Sequence, residues 1–343
     1  MKRRKLLKGL TISGAGISLI GSTGFLVGCD GKSQKTSKND QGFKTGLFFM
    51  ISLAQWSLNH SFFGESRKLP WPEFGRRLTV DPDSLLLGDL DPINFPVIAR
   101  RDFDIEAVEY VNTFYMSKKN DQNFWNELKS RSDGEGITNV MIMCDAEGDL
   151  GDPEDNSRNQ AVDNHKGWVD IAKFLGCQSI RVNASGNGTP SQIKEAAVDG
   201  IGKLSEYAGN SDINILIENH GGMSSNARWL SGIIEQVNVE NCGTLPDFGN
   251  FCMERGPEGC EKAYDMYRGV RELMPFAKGV SAKAYDFDEE GNETTIDYSK
   301  MLDIVKNSGF TGYIGIEYEG KSHSESKGIS ATKKLLERVG AEV

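Results

Sequence analysis

The sequence predicts a (β/α)8 barrel, and three observations carry that prediction. From Phe48 onward, short apolar runs alternate with longer amphipathic stretches through eight rounds, the pattern of parallel βαβ units. Several amphipathic stretches end at a glycine, Gly176, Gly209 or Gly309, just ahead of the next apolar run, where a helix C-terminus is expected. The structural rival is a doubly wound open sheet, but no GxGxxG follows the first run, which removes that fold's usual signature.

In chain order the predicted strands are 49–57, 106–111, 138–144, 178–184, 213–219, 242–247, 277–283 and 312–318. Apolar residues recurring at three- and four-residue steps predict helices over 158–176, 191–208, 225–237, 258–274 and 326–339. The segment 60–90 is long for a loop after a first strand and carries Phe62, Phe63, Trp71, Phe74, Arg76 and Arg77. Length and aromatic content suit a lid or binding loop, or an insertion packed on the barrel rim.

The chain has 343 residues, 39 Lys+Arg and 49 Asp+Glu, for a formal net charge of −10. Lys2, Arg3, Arg4, Lys5 and Lys8 precede an apolar run rich in Gly and Ser that ends at Leu26-Val27-Gly28-Cys29. A charged start, an apolar middle and a small-residue end make a signal peptide. Its arginine pair resembles a twin-arginine export signal, and Leu-Val-Gly-Cys resembles a lipobox, which implies lipidation at Cys29. An uncleaved membrane anchor is the alternative. Residues 1–28 are therefore expected to be an address label, 29–44 a lipidated cysteine with a polar tether, and 45–343 the barrel, exported to the periplasm or cell envelope and joined to a membrane only through the lipid. Without the label, 34 basic residues face 49 acidic ones, a net −15. So acidic a domain is a poor partner for nucleic acid, whose binding rests on clustered Lys and Arg.

Cys144, Cys177, Cys242, Cys252 and Cys260 remain beside Cys29. They are odd in number and show no CxxC or Cys/His zinc spacing, so neither a disulfide framework nor a structural zinc is expected. Most should be buried as small hydrophobes.

In a barrel of this kind the chemistry belongs at the C-terminal strand ends. The fifth predicted strand ends in Glu218-Asn219-His220-Gly221-Gly222, the sixth in Pro246-Asp247-Phe248-Gly249-Asn250, the seventh in Ser281-Ala282-Lys283, and the eighth in Glu317-Tyr318-Glu319-Gly320. A carboxylate closing an apolar strand is costly unless it is paired, hydrogen-bonded or bound to a cation. Glu218, Asp247 and Glu317 would converge, and a divalent cation resolves their repulsion.

These motifs, IENHGG (217–222), LPDFGNF (245–251), VSAK (280–283) and GIEYEG (315–320), resemble the xylose-isomerase-like TIM barrels, the sugar phosphate isomerases and epimerases, over about residues 45–340. The resemblance implies a divalent metal, Mn foremost with Mg, Co or Zn as substitutes, held by Glu, Asp, His and Glu. It also implies two glutamates that move a proton beside a sugar carbonyl. Glu218, Asp247 and Glu317 match three of the metal positions, with Glu218 and Glu317 the acid/base pair. The fourth departs: Ser281 stands where the family usually has His, so either water completes the shell or His220 does, if the strand runs on to place it beside Glu218. Lys283 is a further catalytic candidate, aimed at a substrate oxyanion or holding Glu317 or Asp247.

Arg181 and Asn183 on one face of the fourth strand, with Gln55 and Trp56 after the first, are candidates for sugar hydroxyls. Glu109, Glu147 and His165 are weaker ones. No nucleotide cofactor is expected. The partner would be a small sugar or keto-sugar, and an oligomer is open. Isomerisation or epimerisation is the leading reading, and a 3-keto-glycoside hydratase or lyase on the same barrel is its alternative. A non-catalytic sugar-binding lipoprotein is the alternative from another class. An AP endonuclease-like activity would need more than His60, His165, His220 and His323, and a basic face.

Overall fold

A computed structural model describes residues 46–343; Cys29 and the expected signal and tether lie outside the described residues. The eight predicted strands all form: β1 (Met50–Ala54), β2 (Ala107–Val111), β3 (Thr138–Met143), β4 (Ser179–Val182), β5 (Asn214–Glu218), β6 (Cys242–Leu245), and, after a hairpin of β7 (Cys252–Gly256) and β8 (Gly259–Ala263), β9 (Val280–Ala284) and β10 (Tyr313–Tyr318). Their order is β6-β5-β4-β3-β2-β1-β10-β9. Parallel bridges Thr244 to Ala277 and Asp247 to Ser281 join the two ends, so the sheet closes into a (β/α)8 barrel rather than an open doubly wound sheet.

The helices are α1 (Asn59–Phe63), α2 (Trp71–Val80), α3 (Phe95–Phe103), α4 (Gln122–Gly134), α5 (Asp155–Leu175), α6 (Pro190–Gly209), α7 (Ala227–Val237), α8 (Met266–Leu273), α9 (Tyr298–Asn307) and α10 (Glu325–Glu342). Gly176 ends α5 in the left-handed region, at φ 82°, as its position in the sequence predicts. Gly209 is instead the last residue of α6, which Asn210 caps. None of the described helices is long and apolar enough to cross a membrane.

The floor of the barrel is apolar and tight. A Cβ at Gly279 would stand 2.9 Å from Leu245 and 3.2 Å from Met141, with Leu216 at 3.6 Å. Only glycine lets those side chains fill the interior at native density. One layer higher the filling turns polar, because a Cβ at Gly315 would meet the Glu109 carboxylate at 2.5 Å.

Two additions decorate the C-terminal rim. The long segment after β1 is helical, with α2 as its main element, rather than a structureless loop. Glu73 pairs with Arg76 and Arg77 along α2, while Phe74 packs edge-on to Phe63 at 5.0 Å, and Phe63 stacks on Phe114 at 4.6 Å. The second addition is the β7–β8 hairpin, where the sequence pattern predicts the start of a helix over 258–274. The helix begins only at Met266, because Cys252 and Cys260 form a disulfide across the hairpin and hold its strands together. That bond also corrects the expectation that the cysteines stay unpaired. Cys144, Cys177 and Cys242 are free and buried.

Candidate active site

Glu218 is the last residue of β5, Asp247 follows β6, and Glu317 lies in β10. All three are buried, and their carboxylate oxygens lie within 4.8 Å of one another. The closed register does this. Glu317 sits opposite Lys283 on β9, and Asp247 bridges to Ser281, so adjacent strand ends carry their acids to one point on the barrel axis.

Each acid is aimed by its neighbours. Asp247 Oδ1 accepts the backbone N–H groups of Gly249 at 2.8 Å and Asn250 at 2.7 Å. Asn219 fixes the same turn, accepting Asp247 N–H at 2.8 Å and donating to its carbonyl at 3.0 Å. The Ser281 hydroxyl lies 2.6 Å from Asp247 Oδ2 and 3.0 Å from Glu317 Oε2, and with one proton it donates to one of them at a time. Asn250 Nδ2 donates to Glu218 Oε1 at 3.0 Å. Glu218 Oε2 stands 2.7 Å from Arg181 Nε, yet neither atom makes an aligned hydrogen bond.

Two cations share this floor. Lys283 Nζ donates to Glu317 Oε1 at 2.7 Å and to Glu319, and lies 3.8 Å from Asp247. Burial alone would depress the Lys283 pKa, but the Asp247, Glu317 and Glu319 carboxylates outweigh it and hold the ammonium well above the usual lysine value. The side chain is thus a fixed cation and not a proton donor near neutral pH. Arg181 also donates to Asp145 Oδ1 at 2.7 Å. Burial opposes ionisation of Asp145, yet Arg181 and His220 prevail and bring its pKa down to about 2. Burial raises the carboxyls of Glu218 and Asp247, with Arg181 and Lys283 respectively opposing the shift. Two fixed cations therefore face five carboxylates: Asp145, Glu218, Asp247, Glu317 and Glu319. With that excess, the acidic triad could hold a divalent cation through oxygen donors. Ser281 offers a hydroxyl in place of an imidazole, which favours a hard, oxygen-preferring ion.

His220 stands outside the triad. β5 stops at Glu218 and Gly221 takes φ 91°, so the strand alternation that would align His220 with Glu218 does not continue. The residue lies at the mouth of a cavity. The surrounding protein and the Arg181 cation lower its pKa.

That cavity, about 470 Å³, has Arg181, Glu317 and Glu319 on its floor, Trp56 and α2 on one wall, and the hairpin residues Cys252 and Arg255 among its lining. Of the predicted sugar-binding residues, Arg181 and Trp56 line it. Asn183 donates to Asp145 at 2.8 Å and lines an adjoining cleft. Gln55 is buried in the scaffold, donating to Tyr115 OH at 2.8 Å and accepting Val111 N–H at 3.1 Å. Glu147 accepts Trp168 Nε1 at 2.5 Å and pairs with Lys119 at 3.0 Å, and His165 meets the Ala161 carbonyl at 2.7 Å. Asp145, Glu319 and Asn250 enter the site without having been singled out by sequence. Glu319 had a usable signal, an acid two residues beyond Glu317 on an extended segment.

A model of the xylose isomerase-like TIM barrel family matches residues 99–339. Among curated proteins, the C-glycoside deglycosidase alpha subunit of Arthrobacter globiformis is 36% identical over 66 residues, which span 18% of this chain and 19% of that protein. Among solved structures, a 3-keto-D-glucoside 4-epimerase from E. coli superposes with a TM-score of 0.57 at 12% identity, over 72% of this chain and 94% of its own. IOLI protein with a binding zinc atom gives 0.60 at 13% identity, over 86% and 99%. At these identities the structural likeness is one of fold.

Proposed function

The chain belongs to the xylose isomerase-like TIM barrel family, and from that premise we propose that it is a metal-dependent sugar isomerase or epimerase. Glu218 and Glu317 form the proton-transfer pair beside a sugar carbonyl. The observation that carries this reading is the convergence of Glu218, Asp247 and Glu317, within 4.8 Å, beneath a cavity wide enough for a sugar. The three would hold a divalent cation, Mn foremost, which when bound would polarise the carbonyl and its neighbouring hydroxyl.

The chain's own groups do the rest. Burial raises the Glu218 carboxyl while Arg181 opposes the shift, and Asn250 donates to one of its oxygens while the Arg181 guanidinium lies against the other. Lys283 fixes Glu317 through a buried ion pair and presents positive charge toward oxygen that becomes anionic as the α-proton leaves. One glutamate takes that proton and the other returns it.

The same proton abstraction with a leaving group on the next carbon gives elimination. The partial match to a C-glycoside deglycosidase subunit and the likeness to a 3-keto-glucoside epimerase support this keto-glycoside lyase or hydratase as the second reading. The Cys252–Cys260 disulfide supports export, because such bonds persist in oxidising compartments.

Metal analysis of the purified protein, with Glu218→Gln and Glu317→Gln, tests the first reading. Stoichiometric metal and losses of about 10²- to 10⁴-fold in kcat are expected. Unchanged sugar turnover in both variants would overturn it. In heavy water, deuterium uptake by a 3-keto-glucoside without loss of the aglycone favours epimerisation over elimination.

A further inference from the structure

The cavity above the carboxylates has two chemically different ends. Near Glu317, Glu319 and Arg181 it offers charge and hydrogen bonds; along α2 it is walled by Trp71, Phe74 and Leu78. A second sugar ring would carry a hydroxyl on nearly every carbon into that end, more than its few polar side chains can partner. One isolated hydroxyl, Thr113 Oγ1, lines the cavity, is buried and has no hydrogen-bond partner.

The wall is built in advance. Trp71 is 64% exposed and so accessible to a ligand. It is nevertheless held: the Arg67 guanidinium sits 5.3 Å from its ring and 5.1 Å from Trp56, and Phe74 meets it edge-on at 5.5 Å. Behind it, α2 is anchored through Phe74 and Phe63. Gly75 leaves a gap in this wall, since a Cβ there meets nothing within 4 Å. Across the mouth, the disulfide limits the freedom of the hairpin that carries Arg255.

We infer that this end is an aglycone subsite, and that the substrate is a glycoside whose sugar lies over the carboxylates while a flat, apolar, aryl-sized group stacks between Trp71 and the gap at Gly75. The inference rests on the sugar reading above and narrows it from free sugars to aryl glycosides. A flat ring suits the aromatic faces, and a single polar edge on it suits Thr113.

The test compares dissociation constants of methyl and phenyl 3-keto-β-D-glucosides by calorimetry, in wild type, Gly75→Leu and Trp71→Ala. The wild type is expected to favour the phenyl glycoside by about tenfold, roughly the effect of one buried ring contact, and both variants to bring that ratio toward one. Gly75 has ordinary helical geometry and Trp71 is exposed, so both variants should fold. Equal affinities in wild type, or a preference that survives both substitutions, would overturn the subsite. If neither glycoside binds, the sugar reading itself fails. Phenol titrated alone then reports on the wall: quenching of tryptophan fluorescence in wild type that is lost in Gly75→Leu supports an apolar subsite, and no quenching overturns that too.

Discussion

The two halves of the barrel treat buried charge differently. Around β1 to β4 the buried Glu and Arg side chains other than Glu109 each meet an opposite charge: Glu147 pairs with Lys119, Arg158 with Asp155 and Asp199, and Arg181 with Asp145. Around β5, β6, β9 and β10 the acids outnumber the cations, and Glu218 keeps an oxygen without a hydrogen bond. Balanced charges suit a scaffold, whereas an excess of one sign in a buried place is relieved by protonation or by a bound cation. The difference separates site from scaffold without reference to any relative.

The sharpest way to break the comparison is to remove the charge that holds the second half together. Lys283→Met leaves Glu317, Glu319 and Asp247 facing one another without their ammonium. Truncating one partner of a buried ion pair costs about 3–5 kcal/mol, and urea denaturation at pH 8 should show a loss of that size. Because the freed carboxylates take up protons more readily in the folded state, the deficit should shrink at pH 5. Added Mn²⁺ should restore part of the melting temperature by replacing the lost charge. A loss below about 1 kcal/mol, typical of a surface pair, would mean that the acids are not held together as the geometry implies.

Legibility in the sequence follows the same division. Strand identity was readable because an apolar run between amphipathic helices has few other fates, and the acids at strand ends were readable because a carboxylate closing such a run demands an explanation. Gln55 follows the first strand, where a sugar ligand is expected, while its buried contact is with Tyr115, 60 residues away in sequence, which local pattern does not announce. His220 depended on where β5 stops, a boundary that local pattern does not fix. The hairpin lay hidden under helical periodicity, since nothing within residues 258–274 alone announces that Cys260 will meet Cys252. Asp145 directly follows the apolar run 138–144, yet it acquires its role only through Arg181, 36 residues away in sequence.

Glu109 is the exception in the first half, and it sharpens the comparison through pH. It is fully buried in the space left by Gly315, with Ser52 donating to one oxygen at 2.5 Å and the other oxygen unpartnered. Burial is the main cause that pushes its pKa from 4.5 up to about 8. Below pH 4.5 both folded and unfolded chains hold this proton, and it adds no pH dependence. Between pH 4.5 and 8 the unfolded chain releases it while the folded one keeps it, so stability falls as pH rises. Glu109→Gln should remove that slope and gain about 3 kcal/mol at pH 7. Matched unfolding curves at pH 5 and pH 8 check this. A variant no more stable than wild type at pH 8 would place a cation or water against Glu109 that neutralises it in the folded protein.

The smallest effect tests the scaffold half directly. Gln55→Ala removes the acceptor of the Val111 N–H and one of two partners of the Tyr115 hydroxyl, which still donates to the Pro92 carbonyl at 3.0 Å. One buried N–H loses its partner, so the cost should be about 1–2 kcal/mol, read as a lower melting temperature. Because Gln55 has no place in the cavity lining, kcat and KM at a temperature well below melting should stay at their wild-type values. A raised KM without loss of stability would make Gln55 a substrate ligand.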